Sequence, residues 1–123
     1  MDAFRTRVKA NIEKTFRENN VNATVTIDAN TKNIIIHGTD MEAWIRLTVV
    51  PTKPSVINLV DINNIQINSV KQRKGIFTNM MLNLRELKTV NRIVITSVCT
   101  PAMEQWCSKN RCKQIGLCDY QYK

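Results

Sequence analysis

The chain has 123 residues, 43% of them hydrophobic, with only three glycines and three prolines, which suits one folded domain and excludes a disordered or fibrous chain. The formal charge is +8, no apolar run approaches the ~20 residues of a membrane span, and the charged opening MDAFRTRVKANIEK has no apolar core of a signal peptide. The expectation is a single soluble, cytoplasmic domain over residues 1–123 with no membrane partner.

Residues 2–19 read as a helix, because Phe4, Val8, Ile12 and Phe16 recur every four residues. Its apolar stripe suits docking on a sheet. Strand signals follow around Val21–Ile27 and from Asn33 to His37, joined by a turn at Ala29-Asn30-Thr31. Ala43–Val50 and Ser55–Ile62 are two further strands, connected through Pro51-Thr52-Lys53-Pro54. Asp61 sits among apolar neighbours near the end of the second. Ile65-Gln66-Ile67 is a short alternating strand that runs into the basic turn Lys71-Gln72-Arg73-Lys74-Gly75. Ile76, Met80, Leu84 and Leu87 then space a helix. Arg92–Val98 is a β-branched run and reads as a buried strand. Thr100-Pro101 opens a last helix, with threonine capping and proline in the first turn. Cys118-Asp119-Tyr120-Gln121-Tyr122 closes the chain as a strand.

A helix between the strands at 65–67 and 92–98 makes those two parallel. The other connections are hairpins. The predicted fold is therefore α/β, an α+β mixed sheet that is mostly antiparallel, with helices on both faces. In such sheets ligands bind beyond the carboxyl ends of parallel strands. The basic turn falls there, and it opens a helix whose free N–H groups and dipole attract anions. Residues 71–92 carry six Lys/Arg against Glu86 alone, which is +5 of the +8. An anionic ligand follows: a phosphorylated cosubstrate, nucleic acid or an acidic partner. Cys99, Cys107, Cys112 and Cys118 contain no Cys-x-x-Cys pair, and the single His37 is remote in sequence, so no metal site is expected. The cysteines read as reduced thiols.

Two segments resemble GNAT-type acetyltransferases. The stretch from Ile67 to Phe77 is similar to the family's pyrophosphate loop, Arg/Gln-x-x-Gly-x-Gly/Ala, five residues after a strand valine. Ile67 stands at the valine, Gln72 at the first loop position and Gly75 at the glycine, while Phe77 replaces the small residue. Thr100 to Cys112 resembles the family's Asn-x-x-Ala-x-x-x-Tyr-x-x-x-Gly-Phe helix. Thr100 stands for the Asn, Met103 for the Ala, Cys107 for the Tyr, and Arg111-Cys112 for the Gly-Phe. The resemblance implies a GNAT-like acyl-CoA N-acyltransferase fold and acetyl transfer from acetyl-CoA to a primary amine of a protein or a small molecule. It implies pyrophosphate binding by backbone N–H groups of Arg73, Lys74, Gly75, Ile76, Phe77 and Thr78, and pantetheine pairing along Ile65 and Ile67, with Thr100 nearby. Cys107 would take the tyrosine's role as proton donor to the leaving thiolate. Asp61 is the first choice of base for the amine and Glu42 the next. The alternative is a catalytically inactive GNAT-like basic module that binds nucleic acid or an acidic protein.

Overall fold

The structure, a computed structural model, describes residues 1–53, 55–68, 75–98 and 100–123. Among these, three helices and seven strands follow one another as α1 (Asp2–Glu18), β1 (Thr24–Ile27), β2 (Ile34–His37), β3 (Met41–Pro51), β4 (Val56–Ile67), α2 (Ile76–Glu86), β5 (Arg92–Thr96), α3 (Pro101–Lys109), β6 (Lys113–Gln114) and β7 (Tyr120–Gln121). The sheet order is β1-β2-β3-β4-β5-β7-β6. The β4–β5 pair is parallel and every other neighbour pair is antiparallel.

One row of cross-strand partners explains where the core lies. Ile34 faces Ile45, Ile45 faces Ile62, Ile62 faces Ile95, and Ile95 faces Tyr120. The four isoleucines are fully buried. Alternation along each strand places this row on one face of the sheet. The same core cluster takes Phe4, Val8, Ile12 and Phe16 from α1, Met80 and Leu84 from α2, and Met103 and Cys107 from α3. The adjacent row, Ile35–Trp44–Asn63–Thr96, lies on the opposite face, where Trp44 is 55% exposed. The expectation of helices on both faces is thus corrected: the three described helices share one face. Apolar periodicity says that a helix is amphipathic but not which side of a sheet receives it. The α1–α2 contact is partly polar. Asn83 Nδ2 donates to Thr15 Oγ1 at 2.7 Å, and Asn79 Nδ2 donates to Asn19 Oδ1 at 3.0 Å.

The segments Ser55–Ile62 and 65–67, expected as separate strands, are one strand. Their phase break is a β-bulge. Trp44 pairs with Asn63, but Glu42 pairs with Gln66, so β4 carries one residue more than β3. Asn64 takes that irregularity in the left-handed region, at φ 53°. The extra residue resets the alternation, so Ile62 and Ile65, three apart, are both buried. The β4–β5 ladder runs from Leu59–Arg92 to Asn63–Thr96 and stops at the bulge. β4 continues beyond it to Ile67.

The end of α3 is equally informative. Arg111 N–H donates to the Ser108 carbonyl at 3.2 Å, and Cys112 N–H donates to the Cys107 carbonyl at 2.9 Å. Arg111 between them has φ 57°. This is a Schellman ending, whose left-handed residue is ordinarily glycine. An arginine there carries a Cβ penalty of about 1 kcal/mol. Arg111→Gly is therefore expected to raise stability by about 0.5–1 kcal/mol, the gain being trimmed by glycine's freedom in the unfolded chain. A urea midpoint that does not rise would refute this account of the turn.

Candidate functional site

Where β5 stops and β4 continues, a cleft of about 660 Å³ opens. Its size is that of a small-molecule site, roughly 300–1,000 Å³. Ile65, Gln66 and Ile67 form one wall. Side chains of consecutive strand residues alternate between faces, so all three border the cleft along one edge of the strand. The first turn of α2 forms the end of the cleft through Gly75, Phe77 and Thr78, and α3 forms the second wall.

The α2 terminus is described from Gly75 onward. Gly75 is its N-cap at φ 69°, a left-handed conformation that glycine adopts without strain, and among the described residues no side chain caps the helix. Among the described residues, a Cβ at Gly75 would have nothing within 4 Å. The first intrahelical bond is Asn79 N–H to the Gly75 carbonyl, at 2.9 Å. Helix geometry leaves the N–H groups of Ile76, Phe77 and Thr78 without intrahelical acceptors, at the positive end of the dipole. Gln72, Arg73 and Lys74, also expected at the phosphates, lie outside the described residues.

α3 lies against this turn through Trp106. The indole Nε1–H donates to Thr78 Oγ1 at 2.9 Å. Its ring meets Phe77 edge-on, with centroids 4.6 Å apart, and Tyr122 at 5.4 Å. Phe77, which stands where the family's motif has a small residue, is therefore 4% exposed and packed, its ring turned to α3. Thr100 caps α3 by accepting from Met103 N–H at 3.3 Å, and it also lines the cleft. Lys109 is the one ionisable side chain among the described lining residues. It lies three residues after Trp106, about one helical turn.

The structure thus brings Ile65, Ile67, Gly75, Phe77, Thr78 and Thr100 to one cleft. Ile76, in the same turn, is 2% exposed, and its side chain belongs to the core. Cys107 is not brought there. It is fully buried on the core side of α3, and burial, with the neighbouring Cys112 adding, pushes its thiol up to about 12. An ordinary thiol is at ~8.5, so Cys107 is a poor proton donor to a leaving thiolate. The residue that turns toward the cleft at this level is Trp106. Ala102, Met103, Trp106 and Cys107 form one apolar side in the sequence, and that pattern does not separate the cleft-facing residue from the core-facing one.

Asp61 lies on β4 two residues before the ladder ends, opposite Arg46 on β3 and Val94 on β5. Its side chain is on the open face, away from the helices. Thr96 Oγ1 donates to Asp61 Oδ1 at 2.8 Å. Partial burial raises the carboxyl above its usual range, against the lowering influence of that bond and of Arg46. Glu42 stands opposite Gln66, a cleft residue, and its Oε1 is 3.0 Å from His37 Nδ1. Both of those side chains are exposed. Among the described residues no group of three His, Cys, Asp or Glu side chains is placed to hold a metal ion, and no helix is long and apolar enough to cross a membrane. No protein-family model matches the chain, and no curated protein matches it at a significant level.

Proposed function

We propose that the chain is a GNAT-type N-acetyltransferase that holds acetyl-CoA in this cleft and passes the acetyl group to a primary amine. The observation that carries the reading is the coincidence of three features at one place. A parallel ladder ends at a bulge, residues 65–67 of β4 beyond it line the cleft, and the N-terminus of α2 closes its end. The pyrophosphate would accept from the N–H groups of Ile76, Phe77 and Thr78. The pantetheine amides would run along residues 65–67 as a further strand. Arg111 adds support, because it holds the left-handed position where the family's motif has its glycine.

Chemistry requires the acceptor amine to be neutral when it attacks the thioester carbon. Asp61 faces the side of the sheet opposite the helices, and its raised carboxyl is a stronger base than an ordinary carboxylate. The amine would approach from that face, near Asn63 and Thr96, and release its proton to Asp61 directly or through water. The C–S bond then breaks and the thiolate takes a proton from solvent, since Cys107 is withdrawn into the core.

Saturating acetyl-CoA is expected to raise the melting temperature. A ligand at 100 times its Kd adds about 2.7 kcal/mol, which corresponds to a shift on the order of 10 °C for a chain of this size. Absence of a shift, together with no thiol release across a panel of amines, would overturn the assignment. The second reading, a basic module without chemistry, is favoured by the +5 charge of residues 71–92. It predicts duplex or single-strand binding that weakens steeply with salt and is indifferent to acetyl-CoA.

A further inference from the structure

We infer that Cys107 and Cys112 are a disulfide-forming pair, a modification site at the end of α3 that takes a low-molecular-weight disulfide as co-reactant. The inference stands apart from the cleft reading and would hold if the cleft bound something else.

The geometry comes from the Schellman ending. In this motif the residues three before and two after the helix cap are brought together, and their side chains ordinarily make an apolar contact. Here the cap is Asn110, and the residues brought together are Cys107 and Cys112, joined at the backbone by the 2.9 Å bond from Cys112 N–H to the Cys107 carbonyl. Cys112 packs against the same core cluster that contains Cys107. Burial pushes both thiols up, Cys107 to about 12, and the neighbouring sulfur adds to the rise at Cys107 while offsetting part of it at Cys112. The pair is therefore asymmetric. Cys112 is partly exposed and within reach of a co-reactant, whereas Cys107 is fully buried.

This asymmetry orders the reaction. The Cys112 thiolate attacks one sulfur of an external disulfide, RSSR, and expels RS⁻ to form a mixed disulfide. Cys107 then loses its proton and attacks the Cys112 sulfur, expelling the second RS⁻. Two protein thiols are oxidised by two electrons, and the external disulfide is reduced to two RSH. The bridge fixes the last turn of α3, the turn that ends in Lys109, next to the Trp106 wall of the cleft.

The test treats the full chain with oxidised glutathione, blocks remaining thiols by alkylation and maps the tryptic peptides. Trypsin cuts after Lys109 and Arg111, so Cys107 and Cys112 fall in different peptides and a bridge is visible as a linked pair; Cys99 shares the 93–109 peptide with Cys107, so fragmentation of the linked pair reads which of the two carries the bridge. The expected main product is the Cys107–Cys112 link, with the whole chain lighter by two hydrogens. Cys107→Ser is expected to stop at a glutathione adduct on Cys112, and Cys112→Ser to leave Cys107 reduced. A main link to Cys99 or Cys118 overturns the assignment, as does full alkylation of both thiols after oxidation. Where a serine variant does not fold, the wild-type peptide map alone decides.

Discussion

Gly38→Ala is expected to destabilise the chain by about 3 kcal/mol. Gly38 follows β2 and lies against the backbone of Asn22 and Ala23 just before β1. An added Cβ would overlap the Asn22 carbonyl oxygen and Ala23 Cα, and it would sit 2.9 Å from Ala23 Cβ. Two of the three nearest atoms are main chain, so no rotamer change relieves the overlap. The segment cannot simply move aside, because it is tied on both sides. Asn22 N–H donates to Asp40 Oδ2 at 2.6 Å, Asp40 N–H donates to the Asn22 carbonyl at 3.2 Å, and Asn22 Nδ2 donates to Thr39 Oγ1 at 2.8 Å. Overpacking of this kind costs roughly 1–3 kcal/mol, and each neutral hydrogen bond lost adds about 1 kcal/mol. The effect extends toward the cleft, since Asn68, just past β4, donates its N–H to the Asp40 carbonyl at 2.9 Å. Urea unfolding measures the loss; a change below about 0.5 kcal/mol, the size of an ordinary surface substitution, would show that the corner yields.

Gly38 also marks what the sequence could not convey. In the sequence it only follows the last residue of a strand, and the approach of residues 22 and 23, distant in sequence, explains why a side chain is excluded. Elements with their own period were legible. The every-fourth-residue stripe of α1 became a buried stripe, and the β-branched run after Arg92 became β5. The bulge was not legible, because Asn63-Asn64 between two alternating runs looks the same as a turn between two strands. The closing hairpin shows the opposite limit. β6 is the two residues Lys113 and Gln114, too short for any alternation to register. In α3 the motif spacing fixed positions but not rotation. Thr100, Met103 and Cys107 follow one another along the helix, and packing turned Cys107 to the core and Trp106 to the cleft. Ile65, Ile67, Gly75, Phe77, Thr78 and Thr100 were named through the family resemblance, and the structure places all six along one cleft. Lys109 and Gln105 were not named, because their relevance depends on how α3 leans against α2.

Asp61→Asn is expected to slow acetyl transfer by about 10²–10⁴, the usual contribution of a positioned base, while leaving the acetyl-CoA melting shift intact. Asparagine keeps an oxygen that accepts from Thr96 Oγ1, so the local bond survives. Stability should move the other way. The folded carboxyl is raised above its unfolded value, chiefly by desolvation. Between the unfolded and folded values the native state holds the extra proton, so stability falls as pH rises through that window, and the penalty persists above it. A neutral asparagine carries no such penalty, and its melting temperature at neutral pH should be higher than wild type. The wild-type rate should drop as pH falls through the raised carboxyl value, and the variant should lose that limb of the profile. The pairing of lower rate with higher stability separates a base from a structural carboxylate. A variant that loses rate and stability together would assign Asp61 to the fold, and one that keeps the wild-type rate would move proton removal to another group, with Glu42 beside Gln66 the next to test.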